Sequence, residues 1–239
     1  MIHGINLGAG TWICENWIGL DKIQNNYLNE NTIFPIPDNS IEYIYSAHFF
    51  EHINDETAYN LLKESKRVLK PGGIIRIILP DFELLKRKYC ENDTYFFNKI
   101  GFKGRPEWPK YNVEFCLENI LTHWFSNYNE GDPDNNNGYR GPPRILTKSD
   151  IKYNANNLST EEFSKWCVSH IPINEKNVTT EHINCFTKER FDNIFKELKF
   201  TEYNKSRHME SKIKDIYKYK KFDNFKDRSA ISLYYEAVK

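Results

Sequence analysis

The stretch NLGAGTWICENWIGLD sets Gly8-Ala9-Gly10 between two short apolar runs, Ile5 to Leu7 and Trp17 to Leu20, and the second run ends on Asp21. Two glycines let a backbone approach a ligand closely, and a carboxylate at a strand tip accepts hydrogen bonds from both hydroxyls of a ribose. These residue types at this spacing describe a nucleoside site. The dinucleotide form of such a site needs G-x-G-x-x-G, a helix, and an acid about twenty residues further on. Here Ile13 holds the third glycine position and Asp21 follows Gly10 by eleven residues. That leaves little room for a helix whose amino terminus would cradle a pyrophosphate. A nucleoside cofactor without phosphate has no use for that cradle.

The surrounding chain reads as the elements that would hold this turn. Ile41 to Ser46 is a β-rich run introduced by the turn cluster PDNS. Asn54 is placed to cap a helix: Asp55 and Glu56 favour its dipole, and Ala58, Leu61, Leu62, Ser65, Val68 and Leu69 fall at helical steps before Pro71-Gly72-Gly73. Ile74 to Leu79 is a nearly continuous apolar strand, the mark of a sheet covered on both faces. The pattern is that of an α/β protein with a mostly parallel sheet. About a hundred residues beyond Asp81 then pass before the next strand signal, far longer than an ordinary connection, so they read as an inserted unit. Within it Val113 to Phe125 is expected to be helical, 131–143 is a turn-rich loop, and Ser159 with Glu162 forms a capping-box pattern. Thr187 is expected to cap a further helix, and Phe200 to Tyr203 and Ala230 to Ala237 are expected strands.

INLGAG, Asp21, FPIPDNSIEYIYSAHFFEHI and LKPGGIIRIILPD, taken in order, resemble the class I S-adenosylmethionine-dependent methyltransferases across residues 5–81. The ending, HINCFTKERFDNIFKELKF and then RSAISLYYEAVK, resembles the closing region of compact methyltransferases often encoded beside bacterial polysaccharide genes. The resemblance implies a Rossmann-like, doubly wound, mostly parallel seven-strand sheet with an inserted, mainly helical lid. It divides the chain into a cofactor-binding half (1–84), a lid (85–180) and a closing segment (181–239). It implies S-adenosyl-L-methionine as cofactor and S-adenosyl-L-homocysteine as product. Leu7, Gly8, Ala9 and Gly10 would lie against methionine and ribose, Asp21 would bind the ribose hydroxyls, Glu30 would reach the adenine, and Ser46 would stand at the ligand-binding strand end.

Methyl transfer from a sulfonium is an in-line displacement, so the protein mainly positions the acceptor and removes its proton if the acceptor is a hydroxyl. His48, His123 and His182 are the candidate bases, each weighed against a packing role, while His52 reads as structural. Asp81 is expected either to orient substrate or to cap the next helix. Trp12, Trp108 and Trp124 could shield the sulfonium or stack on a ring, with core packing the plainer alternative; Trp124 is carried as a substrate contact. Residues 205–228 hold nine Lys or Arg against four acids. A solvated face explains this, and so does an anionic acceptor, for which Arg207 and Arg228 are the best phosphate forks.

Charge and composition exclude several classes. Lys plus Arg equal Asp plus Glu at 33 each, so no overall field attracts nucleic acid or a membrane. No [DNS]PP[YFW] motif of amino-methylating nucleic-acid enzymes follows the strand at 41–46, and GPPR at 141–144 reads as a turn. Five cysteines lack CxxC spacing and no His and carboxylate ligands cluster at helical spacing, so neither a metal nor a disulfide framework is expected. No apolar run is long enough to span a bilayer and no signal-peptide pattern opens the chain, which reads as cytoplasmic. The expected partner is a small molecule: a sugar, nucleotide-sugar or phosphate-bearing intermediate of surface polysaccharide assembly, methylated on oxygen. The rival readings are an N-methyltransferase on a small amine, a non-catalytic nucleoside-binding module and a nicotinamide-dependent oxidoreductase.

Overall fold

The computed structural model describes residues 2–12, 14–21, 28–99, 116–126, 146–170, 182–214 and 228–239. The chain divides into two compact units, Met1–Pro80 with Lys188–Lys239, and Asp81–Thr187. The cuts fall at 80/81 and 187/188, against the expected 84/85 and 180/181. The first shift has a local reason: Asp81 caps the helix that follows it and so belongs with that helix.

The first unit is built on six strands among the described residues, one fewer than the seven expected. They are β1 (Gly4–Leu7), β2 (Trp17–Leu20), β3 (Ile41–Ala47), β4 (Leu69–Pro80), β5 (Glu202–Ser206) and β6 (Ser232–Val238), in the order β2-β1-β3-β4-β6-β5. The pairs β1–β2, β1–β3 and β3–β4 are parallel, whereas β6 runs antiparallel to both β4 and β5. Between β3 and β4 lies α1 (Asp55–Val68). Its amino end is fixed as the sequence indicates: the Asn54 side chain accepts the Thr57 N–H, with Asp55 and Glu56 in the first turn. The helix stops at Val68, before the Pro71-Gly72-Gly73 turn expected to end it, and β4 already begins at Leu69. Pro71 lacks an N–H and biases Lys70 towards extended backbone, so its effect reaches back up the chain.

Adjacent strand residues face opposite sides of a sheet, and the two sides here are covered differently. On one side α1 lies beside α7 (Lys188–Glu197), joined through Arg190 to Asp55, Tyr59 to Glu197, and the Lys66 ammonium to the Leu198 carbonyl. Phe191 and Phe195 of α7 pack on Tyr235, the latter ring parallel to it at 5.5 Å. The opposite side carries Trp17, Tyr43, Tyr45, Ile74, Ile78 and Tyr234, and Trp12 and Ile213 pack against it, Trp12 edge-on to Tyr45 at 6.3 Å. The expected mixed α/β fold is thus present, with α1 and α7 on one face of the sheet among the described residues of this unit. Trp12, in the short connection from β1 to β2, packs on the other face.

Through this second face runs a buried ion pair. Arg76 of β4 is fully buried and meets Glu236 of β6 at 2.8 Å; it also donates to Ser206 Oγ and to the carbonyls of Arg207 and Glu210. Glu236 accepts from Ser211 Oγ and from the Lys212 N–H. The pair therefore fastens 206–212 onto the sheet. The expected strand at Phe200–Tyr203 appears two residues later, as β5.

The second unit is helical where described: α2 (Phe82–Cys90), α3 (Thr94–Phe97), α4 (Leu117–Phe125), α5 (Lys148–Asn157) and α6 (Thr160–Ser169). The capping box of Ser159 and Glu162 forms in full. Phe82, Phe125 and Phe163 make its core, with ring centroids 5.1 and 4.9 Å apart. Residues 113–115 of the expected helix, the 131–143 loop, GPPR at 141–144, Trp108 and most of the 205–228 basic run lie outside the described residues. No helix among the described residues is long and apolar enough to cross a membrane.

Candidate active site

Gly8, Asp21 and His48 are each the first residue beyond a strand, after β1, β2 and β3 in turn. Because these strands are parallel neighbours, all three residues share one edge of the sheet. The chain runs from β1 to β2 on one side and on to β3 on the other, which makes this edge a topological switch point, the place where open α/β sheets bind ligands.

The glycine turn is held by three backbone N–H donors, two bonded to carbonyls and one to a carboxylate. Gly8 N–H donates to the Leu20 carbonyl at 2.9 Å, Trp12 N–H to the Ala9 carbonyl at 2.9 Å, and Gly10 N–H to Asp21 Oδ2 at 3.1 Å. Gly8 and Gly10 both take left-handed backbone, φ 69° and 56°, which L side chains rarely adopt. Their surroundings differ. A Cβ on Gly8 would stand 2.5 Å from the Phe49 side chain, whereas one on Gly10 would meet nothing within 4 Å. Gly8 is fixed by packing and Gly10 leaves an open approach beside a half-buried carboxylate. A nucleoside fits that arrangement: its sugar can lie against the bare backbone with its hydroxyls towards Asp21.

The remaining expected cofactor contacts separate. Leu7 and Ala9 are buried, and Ser46 is fully buried with its hydroxyl donated to the Leu7 carbonyl at 3.1 Å, a bond that ties β3 to β1 beneath the turn. Glu30 is exposed, and its carboxylate accepts from the Asn31 side chain at 3.2 Å.

His48 leaves β3 with φ 52°, its N–H bonded to the Ile78 carbonyl at 2.8 Å. For a residue with a Cβ this conformation is strained by about 1–2 kcal/mol. Its Nδ1 lies 3.1 Å from Glu51 Oε1, and the Glu51 side chain is completely buried. Glu51 occupies a 3₁₀ turn, Phe50–His52, anchored by Phe50 packed edge-on against Phe191 at 6.4 Å. Burial pushes the neighbouring His52 below the ordinary imidazole value; the Glu51 charge opposes that shift, and His48 and Arg228 add to it. Arg228 therefore lies within electrostatic reach of His52. It precedes β6, whose antiparallel course starts at the edge where β4 ends, as the Pro80–Ser232 pairing records. Arg207 is exposed and follows β5, four strand spacings from β1, or roughly 19 Å.

The second unit gathers its own candidates. His182 is buried and donates Nδ1–H to the Trp124 carbonyl at 2.6 Å, with Phe82 and Trp124 packed about its ring. His123 meets Trp124 edge-on at 5.9 Å. Asp81 caps α2, its carboxylate accepting the Leu84 N–H at 3.0 Å.

Residues 17–77, which span β2 to most of β4, match the model of a family described as a methyltransferase domain. Solved structures similar to this chain include S-adenosylmethionine-dependent methyltransferases from three organisms. That of Aquifex aeolicus is 20% identical, with 34% of this chain and 57% of its own length covered and a TM-score of 0.26. Those of Mesorhizobium loti (12%, 99% and 90% covered, TM-score 0.43) and Thermotoga maritima (12%, 99% and 82% covered, TM-score 0.40) align over nearly the whole chain. The chain thus spans little over half the length of the Aquifex protein. No curated protein matches it.

Three features of the first unit escape a reading of residue types. Glu51 hides in the EH pair, where it resembles an ordinary helix-opening acid. Arg76 interrupts an otherwise apolar run, the one sequence signal from which a buried ion pair could have been expected. Glu64 and Arg67 of α1 hold the 34–38 loop: Glu64 accepts the Phe34 N–H at 2.8 Å while Arg67 reaches the carbonyls of Phe34 and Ile36 and the Asp38 carboxylate.

Proposed function

We propose that the protein is an S-adenosylmethionine-dependent O-methyltransferase acting on a small sugar, nucleotide-sugar or phosphate-bearing intermediate of surface polysaccharide assembly. The observation that carries the cofactor reading is the Gly10–Asp21 arrangement: an open glycine backbone and a carboxylate on one sheet edge, at the switch point, with Asp21 inside the segment similar to a methyltransferase domain. Gly10 and Asp21 would hold the nucleoside, with Leu7 to Ala9 and Ser46 shaping the floor beneath it. When bound, S-adenosylmethionine supplies a methyl on a sulfonium, and the C–S bond breaks as the acceptor's O–C bond forms, leaving S-adenosylhomocysteine. The chain's own contribution is to orient the acceptor and accept its hydroxyl proton, and His48, next along the same edge, is the base we assign. Arg228 supports an anionic acceptor, since it stands at the same edge. Arg207 supports it less, being four strands away from β1.

Two measurements test the reading. Isothermal titration should give saturable binding of S-adenosylhomocysteine and none of a nicotinamide dinucleotide. Methyl-labelled cofactor with a panel of sugars, nucleotide-sugars and amines, followed by mass spectrometry, should place the label on a hydroxyl. Transfer only to protein or RNA would overturn the acceptor class.

A further inference from the structure

We infer that Glu51 is a positioning residue for His48, holding its imidazole as the Nδ1–H tautomer so that Nε2 is the nitrogen that takes the acceptor's proton. The inference rests on the methyl-transfer reading and deepens it. Only a hydroxyl acceptor has a proton that must be removed by a base, whereas a neutral amine attacks without one.

Two independent observations support it. The first is the geometry of the pair. A carboxylate only accepts, so the 3.1 Å contact from Glu51 Oε1 places the proton on Nδ1, and in the neutral ring Nε2 then carries the lone pair. The second is that the local structure is arranged at a cost that packing alone does not call for. His48 takes left-handed backbone without being glycine, and its partner is a fully buried carboxylate, a group expensive to desolvate. An alanine or leucine at position 51 would fill space without that penalty. Among the described residues of this unit, His52 on the same 3₁₀ turn interacts electrostatically with both members of the pair and with Arg228, ahead of β6. Phe50 packed against Phe191 keeps the turn, and hence the carboxylate, in register with the ring.

The balance of the step is simple. The acceptor hydroxyl gives its proton to His48 Nε2, the oxygen's electron pair forms the bond to the methyl carbon, and the sulfonium keeps the pair of the C–S bond. The imidazolium that results carries its positive charge beside the Glu51 carboxylate, which stabilises it without itself accepting the proton.

The test uses the full chain labelled with ¹⁵N-histidine, with the His48 ring signals assigned by their loss in His48→Asn; asparagine tolerates left-handed backbone. The wild type is expected to show His48 as the Nδ1–H tautomer. Glu51→Gln keeps the shape but can donate as well as accept, so the two tautomers should become mixed while S-adenosylhomocysteine affinity stays within about twofold. With the acceptor found by the labelled-methyl panel, kcat should fall by about tenfold or more at little changed KM, and Glu51→Asp should restore part of it. A wild-type ring in the Nε2–H form, or a tautomer and kcat indifferent to Glu51→Gln, overturns the inference. Failure of the wild type to bind S-adenosylhomocysteine is a separate result: it removes the methyl-transfer reading and leaves the tautomer data to report the pair alone.

Discussion

At the residue scale the site depends on a small number of atoms. Asp21 holds the glycine turn through Gly10 N–H and is the group assigned to the ribose, so Asp21→Ala should weaken S-adenosylhomocysteine binding by about tenfold or more. Gly10→Val should do the same by filling the open approach and straining a φ of 56°. Glu30→Ala should change affinity little, because that carboxylate is exposed and bonded to its neighbour. Titration calorimetry on the three variants separates these outcomes, and a large effect of Glu30→Ala with none of Asp21→Ala would reverse the assignment of the two acids. His48→Asn removes the base while keeping a side chain suited to left-handed backbone. It should lower kcat for a hydroxyl acceptor by about a hundredfold and leave the thermal midpoint nearly unchanged. The glycine turn and its acid were legible in the chain because both are local: their types and spacing specify the geometry. Glu51 was not, because what distinguishes it is total burial against a histidine, and that is decided by Phe50 docking onto a helix some 140 positions later.

The element scale is governed by caps and clamps. Asn54 accepts the Thr57 N–H at 2.8 Å, so Asn54→Ala should cost about 1 kcal/mol in denaturant unfolding. The Arg76–Glu236 pair behaves differently. Arg76→Met leaves a buried carboxylate without its cation and frees 206–212, which should cost about 3–5 kcal/mol, while Met at both positions should recover most of the loss. Equal destabilisation in the single and double variants would show that lost packing, rather than uncompensated charge, is responsible for most of the effect. Helix starts at Asn54 and Ser159 were legible because capping is a contact between residues two or three apart. The end of α1 and the start of β5 moved by one or two residues, because there the competing factor is pairing with a distant strand: Leu69 finds Ile41, and Glu202 finds Val238.

Across the whole molecule, His52 links stability to pH. Its folded-state value lies below the unfolded one because burial disfavours the charged ring. Unfolded chains therefore bind more protons over the window between the two values, and the stabilisation present above about pH 6.5 is lost as pH falls through that window. Thermal midpoints measured across weakly acidic pH should decline on acidification, and His52→Phe should flatten the decline. Glu64 acts lower in the range. The Arg67 guanidinium and the Phe34 N–H hold its carboxyl below the usual value, so its contribution persists above the ordinary carboxylate range and disappears in stronger acid. A decline confined to the carboxylate region would show that His52 does not contribute.

The chain by itself determined the α/β alternation, the strand-turn-strand beginning, the acid at the second strand tip and the capped helix before β4. Each follows from periodicity or from contacts a few residues apart. Tertiary structure alone decided that α1 and α7 would lie side by side on one sheet face, and that Arg76 would find Glu236 across 160 positions. It also decided that His48 would lean on a buried glutamate. Those outcomes depend on which surfaces meet after collapse, where burial sets the energy of a charge, and no local spacing records that.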